Sequence, residues 1–306
     1  MSDIVRFLVV GDLHGSMPKI HTTDFDAIIC PGDICGDDLR SFVDEVIQIR
    51  TKLGEDADIN LDKICSKKQR DKLEKISIKK GRKVLEKLNS YNKPIFLVPG
   101  NWDHTPYENG SFEDFNKINQ AEENIWKNEI INGFENVYDV EFKKKTFKGI
   151  TFIGHGSTSG PEPVKVIPPE FFDDEHEFID YATRYNFFAK AFRKMASYFE
   201  KEKKNPTILI SHNVPYKTKL DLVNKPGSYA HGKHYGSIIA RMLIENFDPL
   251  LCIGGHIHEG HGKTILKKTI CINSGFGGDV NTIIEINPKK KTIEKIEFLG
   301  KNKSNK

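Results

Sequence analysis

Five short apolar runs in this chain end in loops that carry Asp, Asn or His. That series limits the possible fold more than any other feature. The sequence reads FLVVGDLHG from Phe7, IICPGD from Ile28, FLVPGNWDH from Phe96, TILISH from Thr207 and LLCIGGHIH from Leu250. In order, the loops offer Asp12, His14, Asp33, Asn101, His212, His256 and His258. One such loop means little. Five in series, each with a metal-binding side chain where a strand would end, predict a single metal site assembled from distant segments. In open α/β sheets ligands bind beyond the carboxyl ends of strands, which is where all five loops fall.

Strands are predicted at Phe7–Val10, Ala27–Cys30, Ile95–Val98, Thr151–Ile153, Thr207–Ile210, Leu250–Ile253, Thr269–Ile272 and Thr282–Ile286. Helical spacing fills several gaps, with one face of Phe42, Val43, Val46 and Ile47 and another of Phe187, Phe188, Ala191, Met195 and Phe199. This alternation predicts an α/β architecture. Asn287-Pro288 and the lysines that follow predict a closing hairpin. With no internal repeat and no Gly/Ser linker, one domain is expected over 1–300. It carries a helical, lysine-rich insertion at about 37–90 and a frayed tail at 301–306.

A chain of 306 residues can bury a substantial core. Its 38% hydrophobic and 29% charged content excludes a disordered protein. A net charge of +3 makes no case for nucleic-acid binding by itself. No apolar run approaches the roughly 18 residues of a membrane span, so no membrane partner is expected. The N-terminus enters a strand pattern without a cleavable signal. The five cysteines form no CxxC pair, and Cys30, Cys252 and Cys271 lie in apolar runs. Buried thiols and a cytoplasmic location are the expectation. Residues Lys67–Lys87 hold ten basic and three acidic side chains. They read as a solvated helical face above an apolar stripe of Leu73, Ile76, Val84 and Leu88, in preference to a patch for RNA.

The donor set mixes imidazole, carboxylate and one carboxamide. It suits Mn, Fe, Zn, Ni or Co, with Mn favoured, and the lack of thiolate argues against a structural zinc site. Seven ligands are too many for one tetrahedral ion. They suit two divalent ions roughly 3.5–4 Å apart that share a carboxylate. Two such ions outweigh the charge of Asp12 and Asp33, and the surplus would attract an anionic phosphoester. A hydroxide held between the ions would be the nucleophile, since metal binding brings a water's pKa to about 7.

GDLHG, PGD, GNWD, SHNVP and GGHIH, in that order from residue 11 to 258, resemble the signature blocks of the calcineurin-like metallophosphoesterases. The resemblance implies a four-layer α/β/β/α sandwich of two mixed β-sheets flanked by helices. It also implies Asp12, His14 and His258 on one metal, Asn101, His212 and His256 on the other, and Asp33 bridging.

Two departures bear on the substrate. Phosphoprotein and polyphosphate hydrolases of this family carry Asp-Arg-Gly after the second block, whereas this chain has GDICGDD, with Gly36, Asp37 and Asp38. The arginine that clamps phosphate is missing at that position. From SHNVPYKTKLDL onward the chain resembles the phosphoesterases akin to cyclic-nucleotide phosphodiesterases. In the third block, many members place a general-acid His after the motif Asn, where this chain has Trp102. His104 is a substitute acid or a hydrogen-bonding support. Asp103 is a further catalytic candidate, or it orients a ligand. His155, His234 and Trp102 are candidates for substrate contact, with packing the equal alternative for Trp102. The expected protein is a dinuclear-metal phosphodiesterase of a small phosphodiester or nucleotide. A nuclease using the lysine-rich insertion is the alternative, and a non-catalytic scaffold of the same fold comes after it. Oligomeric state is left open.

Overall fold

Strands buried on both faces need continuous apolar runs rather than alternating ones, and the strands before the five loops satisfy this. A computed structural model describes residues 3–54, 58–105, 124–156, 158–172, 175–228 and 230–301. In the first sheet, β1 (Val5–Val9), β2 (Ala27–Cys30), β3 (Ile95–Leu97) and β4 (Val137–Asp139) run parallel. In the second sheet, β5 (Lys144–Phe147) pairs antiparallel with β6 (Ile150–His155). There β6, β7 (Thr207–Asn213), β8 (Leu251–Gly255) and β10 (Thr269–Asn273) run parallel, and β9 (Gly262–Leu266) closes the far edge antiparallel. The first sheet is completed by β11 (Val280–Asn287), antiparallel to β1, and β12 (Thr292–Gly300). The orders are β12-β11-β1-β2-β3-β4 and β5-β6-β7-β8-β10-β9.

Period-two alternation sends each strand's side chains into two different cores. Val5, Phe7 and Val9 of β1, Ala27 and Ile29 of β2, and Phe96 of β3 face the second sheet. They meet Phe152, Ile208, Ile210, Leu251 and Ile253 there. The Phe96 and Phe152 rings stack with centroids 4.3 Å apart. The intervening Leu8, Ile28, Ile95 and Leu97 face outward against Ile78, Val84, Leu85 and Leu88 of a helix. On the other side Ile153, Leu209, Cys252 and Cys271 pack against Phe187, Ala191, Met195, Ile239 and Leu243. Three cores between four layers make the two mixed sheets an α/β/β/α sandwich, as the resemblance implies.

The flanking helices are α1 (Arg40–Leu53), α2 (Leu61–Ile64), α3 (Lys67–Asn89), α4 (Glu175–Lys201) and α5 (Ile238–Phe247). A capping box between Ser66 and Gln69 starts α3. Its buried stripe begins at Ser77 and Ile78, later than the expected Leu73 and Ile76, and Ile76 is exposed. Only the C-terminal half of α3 lies over the first sheet, so apolar spacing in its first turns has nothing to pack on. The predicted α1 stripe is mostly half-buried, with Val46 alone fully covered, because this face borders a cleft rather than a core.

At the expected hairpin, Asn287 Oδ1 accepts Lys289 N and Lys290 N at 3.1 and 3.0 Å. All five cysteines are free and buried. Among the described residues no helix is long and apolar enough to cross a membrane. The tail expected to fray lies outside the described residues from 302 onward.

Candidate metal centre

The loops after β1, β2 and β3 and those after β7 and β8 open at the same end of the sandwich. Backbone bonds tie the first two together: Asp12 N donates to Gly32 O at 2.9 Å, and Leu13 N and His14 N donate to Asp33 O at 2.8 and 2.9 Å. The turns are sharp enough to force residues other than glycine into left-handed backbone. Asp12, His14, Asp33, His104 and His256 have φ of 49°, 47°, 52°, 50° and 69°. Such conformations cost of order 1–3 kcal/mol each and persist where the surroundings impose them, typically at functional sites. Gly255 and Gly100 are glycine for steric reasons. A Cβ on Gly255 would collide with the Asp12 carboxylate, and one on Gly100 with that of Asp33.

Two groups of donors result, and each draws on both sheets. Asp12, His14 and His258 form one, while Asp33, His212 and His256 form the other. Within each group the donor atoms lie within 4.8 Å of one another. Asp33 also reaches toward the first group, with Oδ2 3.5 Å from His212 Nε2 and 3.7 Å from His14 Nε2. Asn101 Oδ1 is 2.8 Å from His212 Nε2.

The hydrogen bonds to these rings test whether cations fit. His212 Nδ1 donates to Pro31 O at 2.9 Å, which leaves Nε2 as a lone pair. His256 Nε2 donates to Ser159 O at 3.2 Å, which leaves Nδ1 as a lone pair. Those two lone pairs face each other at 3.2 Å, beside the oxygens of Asn101 and Asp33. Four acceptors converge with no donor among them, and a cation relieves that conflict. On the other side His14 Nε2 and His258 Nε2 approach to 3.1 Å. The donor set therefore fits two divalent metal ions.

Electrostatics agree. Burial, then the neighbouring Asp33 charge, drives the Asp12 carboxyl well above the usual range. Burial pushes Asp33 up to about 7. Burial also holds His212 and His258 down to about 4 and His14 and His256 well below their ordinary value. Neutral imidazoles are the state that a metal binds, and a cation would offset the burial and mutual repulsion that raise the two carboxyls.

The other sequence candidates separate by environment. Trp102 lines the cleft, and its ring centroid is 6.4 Å from that of His14. Asp103 is fully buried and accepts Ile34 N, Cys35 N and Gly100 N at 2.9, 2.8 and 2.7 Å, clipping the second loop to the third. Burial, then Asp33, raises its carboxyl to about 6. His104 turns toward α3, with Nε2 2.8 Å from Ser77 Oγ, and Ser77 in turn donates to Gly36 O. His155 is fully buried, with Nε2 2.9 Å from Glu162 Oε1. Glu162 also accepts Ser237 Oγ and Ile238 N, which caps α5. His234 Nδ1 lies 2.8 Å from the buried Asp221. None of His104, His155 and His234 lines the cleft.

That cleft has a volume of about 970 Å³ and runs from the donor groups between α1 and Val223, Lys225, Ser228 and Ala230. Its wall includes a residue that none of the sequence motifs contains. Arg40, the first residue of α1, lies over the Trp102 ring. It stands three residues past Asp37, where the clamping arginine would fall, and only the course of the chain from Asp37 to α1 carries it back to the site. Asn273, at the end of β10, braces the last loop: its Nδ2 donates to Ile257 O at 2.7 Å, between His256 and His258.

The sequence profile described as calcineurin-like phosphoesterase matches residues 5–260. No curated protein sequence matches significantly. One solved crystal structure aligns over 97% of this chain and 99% of its own, at 15% identity and a TM-score of 0.58. A protein of Thermus thermophilus aligns over 97% and 99%, at 14% identity and a TM-score of 0.50. A dimetal phosphatase from Danio rerio aligns over 97% and 98%, at 9% identity and a TM-score of 0.47, a likeness too low to speak to chemistry. Likenesses at these identities concern the fold alone.

Proposed function

The chain belongs to the family of calcineurin-like phosphoesterases, and from that premise we propose that it is a dinuclear-metal phosphodiesterase acting on a small phosphodiester or nucleotide. The observation that carries the reading is the convergence of acceptor atoms in two adjoining groups, with Asp33 reaching toward both. In this reading Asp12, His14 and His258 would hold one ion, Asn101, His212 and His256 the other, and Asp33 would be shared between them. Bound divalent ions, with Mn favoured, supply Lewis acidity and an activated water.

The protein's own contribution is orientation. Pro31 O and Ser159 O fix two imidazole tautomers, and His256 N donates to both Asp12 oxygens at 2.9 and 3.0 Å. The charge on the cleft wall favours a diester. Arg40, Arg50 and Lys225 are outnumbered by Asp37, Asp44, Asp62 and Glu259, so among the described residues the wall has no excess positive charge with which to draw a dianionic monoester. Among the described residues no histidine outside the donor groups lines the cleft, which favours esters whose leaving group departs unprotonated. A positioned acid is typically worth 10²–10⁴-fold, on the order of the rate such an enzyme forgoes on poorer leaving groups.

The test is hydrolysis of bis-(p-nitrophenyl) phosphate by Mn²⁺-reconstituted protein and by His256→Ala. Turnover should fall by orders of magnitude in the variant, and equal turnover rules the reading out. A nuclease reading draws on the solvent-facing groove of α3 lined by Lys67, Lys68, Lys72, Lys75 and Lys79. It requires oligonucleotide affinity that falls steeply with salt.

A further inference from the structure

Arg40 occupies a place that a merely solvated arginine would not choose. It is the first residue of α1, and no acidic residue lies in that first turn. A cation there opposes the helix dipole. Leu39 provides no side-chain cap. Arg40 is nevertheless held on two sides. Its guanidinium carbon is 4.6 Å from the centroid of the Trp102 ring, within cation–π range. Its Nε donates to Asp37 Oδ2 at 3.1 Å.

Both supports belong to the donor loops. Trp102 N donates to Asp33 Oδ1 at 2.8 Å, and the Asp37 oxygen that holds Arg40 is 4.0 Å from His14 Nδ1. Among the described residues the two terminal nitrogens of Arg40 meet no hydrogen-bond acceptor. A guanidinium fixed through Nε and one face, with its two outer nitrogens open in a cleft, is preorganised to grip two oxygens of one anion.

Resting on the phosphoesterase reading, we propose that Arg40 is the phosphate-recognising arginine of this site, presented from α1 by Trp102 and Asp37 toward a phosphoryl group at the metal centre. It performs from a helix end the clamping for which the sequence has no arginine beside Gly36. Trp102 is then the shelf for the guanidinium, and its indole is not free to stack on a substrate base. The arrangement suits a ligand with paired oxygens, which on the phosphoesterase reading is a phosphate or its ester, bound by fork-like hydrogen bonds in addition to the metals.

The experiment compares wild-type protein, Arg40→Ala and Arg40→Lys after Mn²⁺ reconstitution. Metal content is measured by elemental analysis, inorganic phosphate affinity by calorimetry, and hydrolysis of bis-(p-nitrophenyl) phosphate by kcat and KM. Arg40→Ala should retain its metal and lose phosphate affinity by about 10-fold or more, the worth of a charge-assisted pair. Arg40→Lys should recover only part, because a point charge cannot fork. Added guanidinium ion at low concentration should partly rescue Arg40→Ala. Unchanged phosphate affinity at full metal content overturns the proposal. So does loss of metal in both variants, since Arg40 would then act by holding the loops. If wild-type protein hydrolyses no ester yet binds phosphate through Arg40, the anion site stands and the hydrolase reading fails.

Discussion

Replacing Asp103 separates a structural clip from a catalytic acid, two roles that its sequence position leaves open. The carboxylate is fully buried and accepts three backbone N–H groups from two segments, Ile34–Cys35 and Gly100. Asp103→Ala orphans all three donors. Each buried orphan costs about 1–3 kcal/mol, and water entering the vacated space keeps the cost near the lower end. The loss should still reach at least about 3 kcal/mol, a large share of the roughly 5–15 kcal/mol that stabilises a typical domain. Asp103→Asn can keep its oxygen on Ile34 and Cys35 while its NH₂ opposes Gly100 N. It should lose about 1–3 kcal/mol, the cost of one orphan. Asp33 and Asn101 adjoin the clipped segments, so metal affinity should fall in the same order, wild type above Asn above Ala. The assay is urea unfolding with Mn²⁺ stoichiometry and turnover per bound metal. If Asp103→Asn keeps wild-type stability and metal but loses about 10²–10⁴-fold in turnover, Asp103 is acting on a proton and the clip argument is refuted.

Three further outcomes follow from the same geometry. Gly255→Ala should displace the Asp12 carboxylate at an overpacking cost of about 1–3 kcal/mol and weaken one of the two metal sites; Mn²⁺ titration showing two sites of unchanged affinity contradicts this. Glu162→Ala should remove the acceptor of Ile238 N at the start of α5 and the partner of His155, lowering stability by at least about 2 kcal/mol with KM little changed; a raised KM at intact stability would instead place His155 against substrate. Glu141 is buried, and burial, then Asp139, drives its carboxyl well above the usual range. The folded state therefore binds that proton more tightly than the unfolded chain, and the stability it lends below the ordinary carboxylate range is lost as pH rises through the folded value. Glu141→Gln should flatten the melting temperature between pH 5 and pH 8 relative to wild type, and parallel pH curves would count against it.

The strands that build the site were legible because burial on both faces leaves a continuous apolar signature. Ala27–Cys30 appears in the structure with the bounds that the sequence suggests. β5 and β9 escaped notice for the converse reason. They are edge strands, KKTF and GKTIL, with little or no buried face and so no apolar run. α3 misled in its first turns, where Leu73 and Ile76 have helical spacing but no sheet beneath them.

Within the site, the donor inventory is a property of residue type and loop position, and both can be read along the chain. Direction is not. His104 and His155 carry the right chemistry in the right loops, yet one turns to Ser77 and the other to Glu162. A loop residue's side chain is aimed by its own dihedrals and by partners far away in sequence.

Sequence alone thus determined the kinds of atoms available for a metal centre, and the apolar strands whose ends would display them. Tertiary structure decided which of them meet. It set His258 of the second sheet against Asp12 and His14 of the first, and Asp33 of the first against His212 and His256 of the second. It also brought Arg40 back over Trp102 from a helix that the motifs do not include. The physical reason is that ligand chemistry is local, whereas a site's geometry is fixed by how two sheets pack across a shared core, and no single segment encodes that distance.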